Sequence, residues 1–163
     1  WDQIFDEVSQ EYPDVETRSY LVDAASMFMV KQPERFQVVV SSNLFGDILT
    51  DLGAAIAGGI GLAAGANINP ERTYPSMFEP IHGSAPDIAG QGIANPLAAI
   101  WSASQMLEFL GYEALADTVI QAIEKILQEK EVLTPDMNGT SSTSEVGDRI
   151  VEILSSMLHD EQL

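Results

Sequence analysis

The stretch Phe36-Gln-Val-Val-Val40-Ser-Ser42-Asn43-Leu-Phe-Gly-Asp47-Ile-Leu-Thr-Asp51-Leu-Gly-Ala-Ala-Ile-Ala57-Gly58-Gly59 decides how the rest of the chain is read. Phe36 to Val40 is a hydrophobic run broken only by Gln37 and rich in valine, the composition of a strand buried on both faces. Ser42 and Asn43 are residues whose side chains cap helix N-termini. Leu44 to Ala57 then repeats apolar residues at helical spacing. Gly58-Gly59 closes that helix, because glycine enters the left-handed conformation of a helix end without a Cβ clash. A strand running straight into a helix is the unit from which α/β proteins are built.

The alternation continues on both sides. Upstream, Trp1, Ile4, Phe5 and Val8 predict a helix that ends near Pro13. Val15 to Leu21 reads as a strand, and Asp23 to Lys31 as a helix stopped by Pro33. Downstream, Ile60 to Ala66 fits either a strand or a loop. Pro96 to Gly111 and Tyr112 to Gln128 predict two long helices. Thr134 to Ser144 is a polar loop containing the Ser142-x-x-Glu145 capping box, and a last helix spans Glu145 to Leu158.

Composition narrows the functional classes. With 163 residues, 45% of them hydrophobic, and a mean hydropathy of +0.05, this is a core-burying chain. A net charge of −18 argues against nucleic acid, whose phosphates need basic surface, and against docking on anionic membrane. The absence of cysteine removes disulfides, thiolate metal sites and cysteine nucleophiles, and it suits a cytoplasmic protein. No leader or membrane span is legible. The chain opens on Trp1 and runs at once into a helical pattern, so we read it as a C-terminal portion of a longer protein.

Most charge lies on the flanks. Residues 58–100 carry only Arg72 against Glu71, Glu79 and Asp87, and are rich in Gly, Ala and Pro. Two constellations stand out. Asp47 and Asp51 are four apart, so their carboxylates leave one face of a helix that is otherwise apolar. No Lys or Arg lies between Phe36 and Glu71 to offset them, and a hard divalent cation, Mg²⁺ or Mn²⁺, would. A solvated acidic face is the simpler alternative. Asp23, at a strand-to-helix junction, is either an N-cap or a third oxygen ligand.

The second constellation is Glu79-Pro-Ile-His82-Gly83-Ser84-Ala85-Pro86-Asp87. Its Gly and Pro residues fix a tight path. Ser84, the N–H groups around Ala85 and the Asp87 carboxylate are groups suited to holding a ribose, and a carboxylate there would repel a 2′-phosphate. A cap on a helix starting at Ile88 is the alternative for Asp87, and a structural role is the alternative for His82. Gly59-x-Gly61-x-x-Ala64 matches the dinucleotide fingerprint in letters only, because a helix precedes it and no long helix follows. With His82 and His159 alone, a multi-histidine zinc site lacks ligands.

Together, Ser42 to Gly53, Phe78-Glu-Pro-Ile-His82-Gly-Ser-Ala-Pro-Asp87-Ile-Ala-Gly90 and Gly92-Ile-Ala-Asn95-Pro96 resemble the β-decarboxylating dehydrogenases. That family comprises 3-isopropylmalate, isocitrate, homoisocitrate and tartrate/D-malate dehydrogenases. Arg35 to Val40 and Thr134 to Gly147 fit its spacing, and the linker Ala66-Asn-Ile-Asn-Pro70-Glu-Arg72-Thr-Tyr-Pro75-Ser76 looks like the tartrate/D-malate branch.

The resemblance implies an α/β fold of the isopropylmalate dehydrogenase type, distinct from a Rossmann fold. In it the N- and C-terminal segments share a sheet. Residues 1–57 would belong to the dimer-forming domain and 58–163 to the NAD-binding domain. Asp47 and Asp51 would be metal ligands from one subunit, with Asp23 supplied across a homodimer interface to a shared active site. Glu79, His82, Gly83, Ser84, Ala85, Asp87 and Asn95 would line the NAD site. The implied chemistry is hydride transfer from C2 of a 2-hydroxy acid to NAD⁺, then loss of CO₂, with Mn²⁺ or Mg²⁺ acidifying the alcohol. The family's acid/base Lys and Tyr have no match here, so this chain alone is expected to be inactive. Two other readings remain, a non-catalytic regulatory subunit and a small binding module. Retention of all three carboxylates speaks against the first, and NAD binding by the isolated chain would support the second.

Overall fold

A computed structural model of the chain describes residues 1–160. Six helices and two strands follow in the order α1 (Asp2–Ser9), α2 (Val22–Lys31), α3 (Asn43–Ala57), β1 (Ala64–Asn67), β2 (Met77–Pro80), α4 (Leu97–Phe109), α5 (Glu113–Glu129) and α6 (Thr143–Asp160). Short 3₁₀ turns occupy Pro33–Arg35, Ile60–Leu62 and Pro135–Met137. No described helix is long and apolar enough to cross a membrane. The chain divides into two compact units, residues 1–49 and 50–163.

The larger unit is organised by three helices. Val146, Ile150 and Ile153 on α6 recur at helical spacing and meet Ala122, Ile123 and Ile126 of α5 and Leu97 of α4 in one buried cluster. Each of the Val, Leu and Ile side chains contributes roughly 1.5–3 kcal/mol when removed from water. Gly111, at φ +92°, ends α4, and the capping box starts α6: the Ser142 N–H donates to Glu145 Oε2 at 2.7 Å and the Glu145 N–H to Ser142 Oγ at 3.3 Å. The Ser142 hydroxyl also donates to Glu145 Oε2, at 2.8 Å, and the two bonds the carboxylate accepts, the backbone N–H first and the hydroxyl second, hold the Glu145 carboxyl below its usual range. Gly139 tolerates no side chain, since a Cβ there would stand 1.9 Å from the Leu133 carbonyl oxygen.

β1 and β2 form an antiparallel pair in the register Ala64–Pro80, Gly65–Glu79, Ala66–Phe78 and Asn67–Met77. Their connection is tied to the end of α4. Arg72 sits over the Phe109 ring at 4.7 Å and donates to the Phe109 carbonyl, while Phe78 packs on the same ring at 5.7 Å. A cation at exposed helix-terminal carbonyls is favourable, which offsets the left-handed Arg72 backbone at φ +55°.

The smaller unit holds α1, α2 and the start of α3. Tyr20 contacts Phe28 and Phe36 with ring centroids 5.5 and 5.8 Å away, and Arg35 lies 4.4 Å over Phe28. The helices at 2–9, 22–31 and 43–57 match the sequence reading. The strands expected at Val15–Leu21 and Phe36–Val40 do not form. Leu21 and Phe36 are extended, at φ/ψ of −70°/149° and −102°/112°, but a strand is completed by a neighbour's N–H and C=O groups. Among the described residues the sole ladder is β1–β2, so these segments have none, and Val38 is 93% exposed. Conversely, β2 forms where the sequence pattern predicts no strand. It is four residues long and ends in a proline, which an outer strand tolerates.

Candidate active site

Asp47 and Asp51 lie one turn apart on α3, both exposed, while Leu49 between them is buried. Helical periodicity therefore puts both carboxylates on one side. Asn43 Nδ2 donates to Asp47 Oδ2 at 3.3 Å. A paired, solvent-facing set of carboxylate oxygens suits a hard divalent cation. Asp23 is the second residue of α2 and not its N-cap, which is Leu21; its Oδ1 accepts the Ala24 N–H at 2.8 Å. Among the described residues no three His, Asp or Glu side chains converge, so the Asp47–Asp51 pair is not completed to a triad.

The second region starts where β2 ends. The Ile81 N–H donates to the Ala63 carbonyl at 3.1 Å, one step past the ladder, and fixes where the chain leaves the sheet. His82 Nδ1 lies 3.0 Å from the Gly83 carbonyl oxygen, which makes Nδ1 the donor and leaves Nε2 unprotonated in the neutral ring. The space over Gly83 is open and Ser84 is exposed. Ala85 adopts φ +41°, a conformation that favours glycine and costs a residue with a Cβ about 1 kcal/mol or more. Strain of this kind persists where the surroundings enforce it: the Ala85 carbonyl accepts the Ile88 N–H at 3.1 Å, and Gln91 Nε2 donates to the Asp87 carbonyl at 2.8 Å.

Residues 86–90 are a succession of turns, so no helix begins at Ile88 for Asp87 to cap. The Asp87 carboxylate is exposed and accepts no hydrogen bond from the described residues, and no Lys or Arg occurs from Glu79 to Asn95. An open glycine, an exposed hydroxyl and an uncommitted carboxylate on one tight loop are a donor and acceptor set that fits the ribose of a dinucleotide.

Asn95 is placed differently. It is 9% exposed and held at both ends: its Oδ1 accepts the Leu97 N–H at the start of α4, and its Nδ2 donates to Asp136 Oδ2, each at 3.0 Å. Asp136 Oδ1 accepts from Thr134 Oγ1 at 2.5 Å. Thr143, the first residue of α6, hooks the same segment through its N–H to Gly92 O and its hydroxyl to Ala94 O, at 2.8 and 2.5 Å. Sequence reasoning does not single out Asp136 and Thr134. They lie 41 and 39 positions beyond Asn95, and nothing local in Thr134-Pro-Asp136 announces the pairing.

Residues 1–150 match the family model described as isocitrate/isopropylmalate dehydrogenase. The chain is 58% identical to a 3-isopropylmalate dehydrogenase of Thermobifida fusca over 152 residues, covering 93% of this chain and 42% of that protein. It is 48% identical to a "Probable tartrate dehydrogenase/decarboxylase" of Bacillus subtilis, covering 96% of this chain and 44% of that protein. Among solved structures, isocitrate dehydrogenase from Methylococcus capsulatus superposes with a TM-score of 0.87 at 44% identity, covering 93% of this chain and 44% of that one. The chain thus spans less than half the length of these relatives and shares their α/β fold over that span.

Proposed function

The chain belongs to the isocitrate/isopropylmalate dehydrogenase family, and from that premise we propose that the complete protein oxidises and β-decarboxylates a 2-hydroxy dicarboxylic acid with NAD⁺ and a divalent metal. The observation that carries this reading is the Asp47–Asp51 pair, exposed on one side of α3. Mn²⁺ or Mg²⁺ held by these carboxylates would supply Lewis acidity towards the substrate's alcohol oxygen. Asp47 and Asp51 fix the position of that charge. Asp23 adds a third carboxylate from the second subunit of a homodimer with shared active sites. Glu79, His82, Gly83, Ser84, Ala85 and Asp87 hold the dinucleotide, and Asn95 stands at the far end of the same segment. Residues 1–57 serve the dimer-forming domain and 58–163 the NAD-binding domain of a cytoplasmic enzyme.

For the substrate, the linker Ala66 to Ser76 favours tartrate or D-malate. A second reading, 3-isopropylmalate, is supported by the similarity to the Thermobifida fusca enzyme, and relative kcat/KM for the three acids separates them. The metal role is tested in the full-length enzyme by Asp47→Asn. We expect the Mn²⁺ needed for half-maximal turnover to rise at least about tenfold, the equivalent of about 1.4 kcal/mol. An unchanged metal requirement would sink the assignment. Sharing of the site is tested by mixing Asp23→Asn subunits with Asp47→Asn subunits, because a heterodimer carrying one substitution in each chain keeps one intact site. Verified subunit exchange without recovered activity would count against it.

A further inference from the structure

Asn95 has two N–H donors and an oxygen with two lone pairs. One N–H goes to Asp136 and one lone pair to the Leu97 N–H, so one of each stays uncommitted. A carboxylate can only accept, so Asp136 dictates which end of the amide is nitrogen. Asp136 is itself held by the hydroxyl of Thr134, a residue 1% exposed. Gly61 completes the arrangement. A Cβ there would stand 2.7 Å from Asp136 Oδ2, 3.0 Å from Asn95 Cβ and 3.2 Å from Asn95 Nδ2. The glycine that makes a false dinucleotide fingerprint in sequence is needed because its backbone closes directly over this pair.

We infer that Asp136 is a positioning residue that fixes the Asn95 amide, through a contact Gly61 leaves room for, so that the uncommitted N–H and lone pair of Asn95 face the bound dinucleotide. The inference rests on the proposed NAD site. Asp136→Leu keeps the size and branching of the side chain but removes both acceptors, so the Thr134 hydroxyl and the Asn95 amide lose their partner together. Gly61→Ala displaces the Asp136 carboxylate without altering either partner. Both act through Asn95, so neither should change the loop around Asp87.

The test uses the full-length enzyme. We expect Asp136→Leu and Gly61→Ala each to raise KM for NAD⁺ about five- to tenfold with kcat within about twofold, as loss of uniform binding does. In an Asn95→Ala background each should add less than about twofold, since residues acting through one contact are not additive. If Asn95→Ala raises KM while Asp136→Leu and Gly61→Ala leave it unchanged, the positioning role is overturned and the NAD site stands. The positioning role is equally overturned if either variant merely loses folded, active enzyme at constant KM. If Asn95→Ala and Asp87→Lys both leave KM unchanged, the NAD site itself is overturned, and the inference with it.

Discussion

Residues 50–163 and residues 1–49 spend similar apolar sequence in opposite ways. The former enclose Leu97, Ile126, Val146 and Ile153 almost completely between three helices. The latter bury Ala25 and Leu49, while Leu21, Val38, Val40 and Leu44 stay open to solvent. The difference lies in how each kind of element satisfies its backbone. A helix closes its own hydrogen bonds and needs only a face to bury. A strand depends on a neighbour for both bonding and burial, so a strand-like sequence without a neighbour remains an extended, exposed segment.

The contrast breaks first where the larger unit has no slack. Gly139→Ala forces a Cβ against the Leu133 carbonyl oxygen, and we expect it to destabilise by at least about 3 kcal/mol, among the largest single effects ordinarily seen. Denaturant unfolding followed by circular dichroism measures this, and a loss below about 1 kcal/mol would mean the loop repacks freely. Next in size, Ile126→Ala should cost about 2–5 kcal/mol as a core truncation, whereas Val38→Ala in this chain should stay within about 0.5 kcal/mol. Equal costs at the two positions would erase the distinction between the units.

Hydrogen exchange sharpens the same comparison residue by residue. Amides of Val38 to Val40 have no ladder partner and should exchange quickly, while those in the middle of α5 should be protected to near the global stability of the chain. Slow exchange at Val39 would reveal a partner strand. The smallest effect is at the start of α6. Glu145 is held below its unfolded pKa by Ser142, so its contribution is present above that unfolded value and disappears as pH falls through the folded one. Ser142→Ala should therefore lower stability at neutral pH and flatten this part of the acid-side slope. A melting temperature that falls equally at all pH values would argue against the cap as its source.

What is legible in sequence follows this physics. All six helices are visible because periodicity, Pro33, Gly58-Gly59, Gly111 and the capping box are local signals. Strands are over-predicted at Val15–Leu21 and Phe36–Val40 because such sequences state a preference that only a partner fulfils. β2 escapes notice because four residues ending in Pro80 are too few for a pattern. At the candidate site, spacing is enough to place Asp47 and Asp51 on one face, and the glycines and prolines mark the loop around His82. The strain at Ala85 is hidden, since an alanine gives no sign of a left-handed backbone. The Asn95–Asp136 bond is hidden as well, because it joins residues whose proximity the fold alone creates.

The open stretch Gln37-Val-Val-Val-Ser-Ser42 also bears on how this polypeptide fares during its own synthesis. It is uncharged, β-branched and free of proline and glycine, the composition from which stacked, fibril-forming strands are made. Glu34 and Arg35 before it and Asp47 after it are the charges nearest to its ends. Until a neighbouring strand pairs with it, it offers unsatisfied N–H and C=O groups to any other copy of itself. The time for which the segment stays unpaired thus sets how long each nascent molecule is vulnerable to co-aggregation.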